Sequence, residues 1–203
     1  GFAKELLFSD TQQQLRRFQD MMHCRYGRVK GVLDDEMKLY DETDRGQPIY
    51  NFVLLDEVVD FLLALGLTPY LCLNYMPSKL VQKDAPRHFQ KTGYVAVPKD
   101  FAKWEALLEA LIRHLLERYG SHVVQKWLFS PFISPDYMAI GTMKAELYWR
   151  TYQTAYTVLK KAGLAVASPI CSIETPSYLT WFLNRCREQG CMPDRLSLIA
   201  LHI

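Results

Sequence analysis

Short apolar segments alternate with longer amphipathic segments along this chain, and this alternation limits the folds that it can adopt. The amphipathic segments repeat apolar residues three and four positions apart, which predicts helices. Predicted helices cover residues 12–22, 54–65, 101–119, 143–161 and 177–188, and predicted strands cover residues 25–33, 67–75, 124–134, 164–169 and 196–203. Because the strand segments are largely continuous apolar runs, we expect a parallel sheet that is covered by helices.

Two architectures fit this alternation, a (β/α)8 barrel and a doubly wound open sheet. No glycine-rich phosphate-binding pattern follows any predicted strand, so a nucleotide-binding sheet has no chemical support. Polar and aromatic residues come directly after the strands instead, where a barrel builds its site. In the segment 124–134, the period of two places Ser130, Phe132 and Ser134 on one face. These observations favour the barrel.

Composition excludes several classes of function. The net charge is only +2 and the cations are scattered, so no basic stripe indicates a nucleic-acid surface. No apolar run is long enough to span a membrane, and the first residues lack the regions of a signal peptide. The five cysteines form no Cys-x-x-Cys pair, which argues against a disulfide framework or a structural zinc site. We expect no metal, no cofactor and a cytoplasmic location.

Several segments together resemble one enzyme family. Residues 127–136 (Trp-Leu-Phe-Ser-Pro-Phe-Ile-Ser-Pro-Asp) have the frame of the Trp-x-Phe-Glu-x-Trp-Asn-Glu-Pro-Asn/Asp strand of retaining glycosidases. Further matches follow in the same order as in the family, at residues 28–31, 49–52, 67–77, 104–120 and 181–183. On this ordered set, the chain resembles glycoside hydrolase family 39, the β-xylosidase and α-L-iduronidase family.

The resemblance implies an α/β fold, a partial (β/α)8 TIM barrel with parallel strands, and it makes Ser130, Phe132 and Ser134 point into the barrel mouth. On the family alignment, Gly1 falls at the end of the first strand and the chain stops in the sixth, so it carries roughly strands two to six. Six strands cannot close an eight-stranded barrel. We expect residues 1–203 to form a single domain that is a fragment of a longer chain; the alternative is an incomplete barrel whose edges a partner covers.

The departures from the family fall on its catalytic positions. Ser134 stands where the family has its acid/base glutamate, and Ile133 replaces the asparagine before it. Ser130 and Cys72 replace two further glutamates, and Lys30 replaces a strand histidine. Retaining hydrolysis needs two carboxyl groups about 5–5.5 Å apart, and this segment lacks the one that it should supply. The resemblance therefore implies a domain without catalytic residues.

Three other sets of carboxylates lie near the expected site. Asp136 follows Ser134 by two positions, but Pro135 restricts the geometry of Ser134, which predicts that Asp136 does not reach the acid position. Glu174 follows the strand that ends near residue 169, and surface solvation is its predicted role. The acidic turn at residues 34–36 has two interpretations that stay open, a solvated loop that caps the following segment and a sugar contact.

Aromatic and hydrogen-bonding residues remain in the family frame around the lost carboxylates, and such residues suit the binding of a sugar. The chain also resembles the family 39-like barrels that are fused to AraC-type transcription regulators. The resemblance lies in the loss of the catalytic carboxylates and in the segment 33–40. This resemblance implies a carbohydrate-sensing module that binds DNA only through a separate domain. The predicted ligand-binding residues are Lys30, Asn74, Tyr75, Phe132, Ser134 and His202.

Two other interpretations remain open. One is an active retaining β-xylosidase-type glycosidase whose carboxylates come from unexpected positions or from sequence outside this chain. The other is a scaffolding barrel that binds no sugar. Our main hypothesis is a domain that binds a sugar without hydrolysing it. The substitutions fall on the catalytic positions of the family, whereas the residues around these positions match the family.

Overall fold

The computed structural model describes residues 1–87, 93–136, 143–172 and 176–199. Within these ranges the α-helices are α1 (Ser9–Met22), α2 (Val53–Ala64), α3 (Phe101–Tyr119), α4 (Ser121–Val124), α5 (Ala145–Lys161) and α6 (Pro176–Glu188). The strands are β1 (Tyr26–Val29), β2 (Tyr40–Glu42), β3 (Pro48–Tyr50), β4 (Thr68–Cys72), β5 (Leu128–Ser130), β6 (Ala165–Ser172) and β7 (Arg195–Ile199). Short 3-10 helices occupy Ala3–Leu7, Asp35–Met37 and Ser78–Leu80.

Five parallel strands form a curled half-barrel in the order β1-β4-β5-β6-β7. The strands follow one another in chain order, apart from the antiparallel hairpin β2–β3, which is inserted between β1 and α2 and forms its own small sheet. Helices connect the successive strands of the large sheet, as βαβ crossovers require. The predicted α/β class and partial TIM barrel are confirmed.

The two faces of the sheet pack differently. The convex face contributes Val29, Phe129 and Val166 to the large core that the helices cover, and each of these is at most 1% exposed. The concave face holds a small separate cluster around Tyr70, Cys72 and Ala167. Because neighbouring residues of a strand point to opposite faces, the residues that alternate with the core residues line the inside of the half-barrel.

Helix α3 shows why the long helices begin and end where they do. The Asp100 side chain accepts hydrogen bonds from the backbone N–H groups of Ala102 and Lys103, at 3.0 and 3.1 Å, which satisfies two donors of the first turn. Gly120 follows the last helical residue with a φ of 80°, a conformation that suits glycine. None of the described helices is both long and apolar enough to cross a membrane.

The predicted strand at residues 124–134 is much shorter in the structure. Residues Ser121–Val124 form α4, and β5 covers only Leu128–Ser130. Gly120 accepts the first hydrogen bonds of α4, and Pro131 has no N–H to continue the ladder after Ser130. The predicted strand at residues 67–75 likewise ends at Cys72. The polar residues after both strands therefore lie in loops.

Candidate functional site

The carboxyl ends of β1, β4, β5 and β6 meet at one edge of the half-barrel, which we call the mouth. Parallel barrels build their sites at this edge, from the residues that follow each strand. Lys30 comes directly after β1, Asn74 and Tyr75 follow β4, and Phe132 and Ser134 follow β5. The predicted site residues in the described part of the chain therefore belong to neighbouring loops, although their side chains play different roles.

Asn74 joins the loops that follow β1 and β4. Its side-chain Oδ1 accepts a hydrogen bond from the Gly31 backbone N–H at 2.7 Å, and its backbone carbonyl accepts one from Leu33 at 3.0 Å. The residue is only 7% exposed. Asn74 thus holds the segment after β1 against the end of β4. Its side-chain oxygen and its backbone carbonyl both accept hydrogen bonds from this segment.

Tyr75 is enclosed by residues that are distant in sequence. Its ring stacks on Phe2 with the ring centroids 6.3 Å apart, and it is 2% exposed. A Cβ at Gly93 would lie 2.3 Å from the Tyr75 ring, so the backbone of Gly93 passes directly over it. Stacking of a sugar on this ring therefore requires the chain at Gly93 to move aside.

Phe132 packs against a helix. It is 2% exposed, and its ring centroid lies 5.5 Å from that of Tyr148 in α5. The Tyr148 hydroxyl donates a hydrogen bond to the Ile133 carbonyl at 2.9 Å, which fixes this segment to α5. The prediction that Phe132 shares a face with Ser130 and points into the mouth is wrong, because β5 ends at Ser130 and the two-residue alternation ends with it.

Ser130 lies inside the half-barrel and is neutral. It is 1% exposed, and its hydroxyl lies 3.2 Å from the Ser168 carbonyl and 3.4 Å from that of Phe132, both acceptors. Ser168 in turn accepts a hydrogen bond from the Ser197 backbone at 2.8 Å. A hydroxyl held between strands in this way supplies no charge to the mouth.

Ser134 lies in direct contact with a carboxylate. Its hydroxyl donates a hydrogen bond to Asp136 Oδ2 at 2.6 Å, and the Asp136 backbone N–H donates to Ser134 Oγ at 3.2 Å. Asp136 thus reaches the Ser134 hydroxyl, whereas its predicted absence from the acid position stays a prediction. Proline favours a turn as readily as an extended chain, and here the chain turns at Pro135 and brings the carboxylate back.

Two cations lie on β1 and directly after it. The Arg28 guanidinium lies over the Tyr70 ring at 5.3 Å from its centroid, and its buried Nε has no hydrogen-bond partner among the described residues. Lys30 Nζ lies 4.8 Å from the centroid of the Phe2 ring. Sequence reasoning missed Arg28 as a site residue, although its position two residues before Lys30 places both on one strand face.

Cys72, on the neighbouring strand β4, provides no negative charge to balance these cations. The residue is 1% exposed. Burial raises the pKa of its thiol to about 11, although Arg28 and Lys30 act in the opposite direction. The thiol is therefore neutral at pH 7. Within the described residues, no group of histidine, cysteine, aspartate and glutamate side chains is arranged to hold a metal ion.

The acidic turn at residues 34–36 is a cap, but it is not solvated throughout. Asp34 is 6% exposed, and its carboxylate accepts a hydrogen bond from the Glu36 backbone N–H at 3.1 Å. Burial raises the pKa of Asp34 above its usual value. Asp35 accepts a hydrogen bond from the Ser78 backbone at 2.9 Å, and Glu36 pairs with Lys4. The capping interpretation is therefore correct for Asp34, and the solvated one is wrong for it.

Two of the residues considered from the sequence, His202 and Glu174, lie outside the described residues. At the ends of β1 and β4, Lys30 and Tyr75 both contact the Phe2 ring, and Asn74 accepts a hydrogen bond from Gly31. Phe132 packs against Tyr148 of α5. Ser134 instead pairs with Asp136 after β5.

The comparisons with known proteins agree with this architecture. The sequence profile described as "Glycosyl hydrolases family 39" matches residues 1–203. A β-xylosidase of Caldicellulosiruptor saccharolyticus is 31% identical over 200 residues, which are 96% of this chain and 40% of that protein. A β-xylosidase of Geobacillus stearothermophilus is 31% identical over 189 residues, covering 90% of this chain and 37% of that protein. The chain thus spans about two fifths of the length of these curated relatives.

Solved structures show the same fold. A crystal structure of a monomeric β-xylosidase from Caulobacter crescentus CB15 superposes with a TM-score of 0.84 at 24% identity, over 98% of this chain and 40% of that one. The family 39 enzyme from Xanthomonas axonopodis pv. citri superposes with a TM-score of 0.83 at 26% identity, over 97% of this chain and 38% of that one. The five-stranded half-barrel is therefore part of a known barrel architecture.

Proposed function

Because the chain belongs to glycoside hydrolase family 39, we propose that it is a glycosidase-like domain that binds a sugar without hydrolysing it. We further propose that it is the carbohydrate-sensing module of an AraC-type transcription regulator, in which a separate domain binds DNA in the cytoplasm. The observation that carries the proposal is Ser134, which occupies the position of the family's acid/base glutamate.

Ser134 supports binding without turnover because of its chemistry. A general acid must give a proton to the departing sugar oxygen near neutral pH, and a serine hydroxyl does not lose its proton there. This hydroxyl also donates its hydrogen bond to Asp136. Ser130 and Cys72 are buried and neutral as well. These three positions therefore carry no group that can give a proton to a departing sugar oxygen near neutral pH.

The proposed ligand is a neutral sugar of the xylose type. Lys30, Asn74 and Ser134 are the polar binding residues of this proposal, together with His202. Tyr75 and Phe132 support the pocket as packed side chains, since each is only 2% exposed. Arg28 and Lys30 make an acidic sugar such as glucuronate the second ligand to test, because neither Cys72 nor Ser130 offsets their charge.

Turnover and binding measurements on the native-length protein test this function. We expect no release of aryl alcohol from aryl xylosides above background, because loss of a positioned general acid alone removes about 10²–10⁴-fold in rate. Calorimetry against xylose, xylo-oligosaccharides, arabinose and glucuronate should give micromolar to millimolar affinity, about 4–8 kcal/mol. Robust turnover that Ser134→Glu leaves unchanged would contradict the assignment of the acid position. Absence of binding to every sugar would favour the scaffold.

One observation favours a second candidate function, an active retaining β-xylosidase-type glycosidase. The Asp136 carboxylate lies 2.6 Å from the Ser134 hydroxyl, so a carboxyl group is present beside the acid position. In this alternative Asp136 is the acid, and the nucleophile comes from sequence outside this chain. The Asp136→Asn variant separates the two functions, because it abolishes turnover in an active enzyme and has no turnover to abolish in a sensor.

A further inference from the structure

We infer that Asp136 returns a carboxylate to the place of the lost glutamate and uses it to accept hydrogen bonds from the hydroxyl groups of a neutral sugar. This inference rests on the proposed function and deepens it, because it names the residue that selects neutral over acidic sugars. It has three supports, which are the position of the carboxylate, its fixation by the protein and the charge on the opposite side of the mouth.

The first support is position. A serine Oγ occupies the place of a glutamate Cγ when the two side chains share one rotamer. Standard bond lengths put a glutamate carboxyl oxygen about 2.4 Å from its own Cγ. Asp136 Oδ2 lies 2.6 Å from Ser134 Oγ. The distance from Ser134 Oγ to the Asp136 oxygen is therefore close to the distance from Cγ to a carboxyl oxygen in a glutamate at position 134.

The second support is fixation. Ser134 Oγ both donates to the Asp136 carboxylate and accepts from the Asp136 backbone N–H, so the two residues form a closed pair. The preceding residue, Ile133, is 2% exposed, and its carbonyl accepts the hydrogen bond of the buried Tyr148. Pro135 has a fixed φ between them. A carboxylate that is held in place before the ligand arrives loses little entropy on binding.

The third support is the distribution of charge across the mouth. Arg28 lies on β1 and Lys30 directly after it, whereas Asp136 follows β5, and β4 lies between these strands. Two strand spacings amount to roughly 10 Å, which is comparable with the size of a sugar unit. An ionised carboxylate only accepts hydrogen bonds, so it attracts sugar hydroxyls and repels a sugar carboxylate. Asp136 therefore opposes the preference for acidic ligands that Arg28 and Lys30 create.

Calorimetry of matched variants of the native-length protein tests this inference, with xylobiose and glucuronate as probes. Asp136→Asn keeps the shape and removes the charge, and we expect it to weaken xylobiose binding by about 10- to 100-fold. The affinity for glucuronate should stay or rise. The control Asp44→Asn removes an exposed carboxylate of the β2–β3 turn and should change neither affinity.

The outcomes separate this inference from the proposed function. If the wild type binds neither probe, the proposed function fails and the inference fails with it. If the wild type binds xylobiose and Asp136→Asn binds it equally well, the inference alone is wrong. Should Asp136→Asn not fold, Ser134→Ala decides, because loss of the hydroxyl that fixes the carboxylate should weaken xylobiose binding about threefold or more. Unchanged affinity in that variant would overturn the inference.

A test without any sugar addresses the position of the carboxylate. In Ser134→Glu the new carboxylate meets that of Asp136, so one of the two must bind a proton in the folded state. The shared pKa is then raised on folding, and stability falls as the pH rises from 4 to 8. Thermal unfolding of Ser134→Glu relative to Ser134→Gln should show this fall. Equal pH dependence in the two variants would mean that the carboxylates are apart.

Discussion

Truncation of Phe132 to alanine separates a packing role from a sugar-stacking role. The side chain is 2% exposed and contacts the Tyr148 ring at a centroid distance of 5.5 Å. Removal of a buried phenylalanine ring leaves a cavity and typically costs about 3–5 kcal/mol of unfolding free energy. The lost ring pair accounts for about 0.5–1.5 kcal/mol of that total. We expect Phe132→Ala to lose roughly 3–5 kcal/mol.

Urea unfolding of the native-length protein measures this loss as a lower midpoint at unchanged m-value. Phe132→Leu keeps most of the apolar volume and should lose only about 1–2 kcal/mol. Phe8→Ala is the matched control, because Phe8 is 60% exposed and its truncation should change the stability little. If Phe132→Ala keeps the wild-type midpoint and abolishes sugar binding, the ring faces the ligand and the packing argument is refuted.

Four further predictions concern stability and reactivity in the rest of the chain. Cys72 should resist iodoacetamide at pH 8 while the half-buried Cys24 reacts, as peptide mapping would show. Because the pKa of the Cys72 thiol is raised to about 11, its contribution to stability should fall as the pH rises from 9 to 11, and Cys72→Ala should lose that dependence. Asp34→Asn should raise the thermal unfolding midpoint at pH 7 more than at pH 4. Burial raises the pKa of Asp34 in the folded state, so the wild-type carboxyl group destabilises the fold as the pH rises. An equal effect of the substitution at both pH values would contradict this burial. Asp100→Ala should lose about 0.5–2 kcal/mol by removing the cap of α3, whereas Asp44→Ala should lose little.

The fold could be predicted because its signals are local. Helix α3 carries its own start and stop in Asp100 and Gly120, and the apolar periods of the helices and strands give the order of these elements along the chain. Such features depend on neighbours three or four residues away, so the sequence records them directly. The hairpin β2–β3 was missed because its strands have only three residues each, too few for a period to be recognised.

The side-chain arrangement at the mouth could be predicted only in part. Tyr75 follows β4 as expected, but Phe2 and Gly93, which enclose it, are distant in sequence. The orientation of Phe132 depends on where β5 ends, and the direction of Asp136 depends on a single turn at Pro135. Contacts between residues distant in sequence and the geometry of one turn determine where these side chains lie. Neither produces a periodic pattern in the sequence.

The most direct test of binding without hydrolysis is one titration of the native-length protein with xylobiose, followed by chromatography of the same samples. We predict a saturable binding isotherm and xylobiose that is recovered intact at every point. Release of xylose above the enzyme-free background, or the absence of binding heat together with intact xylobiose, would contradict the account.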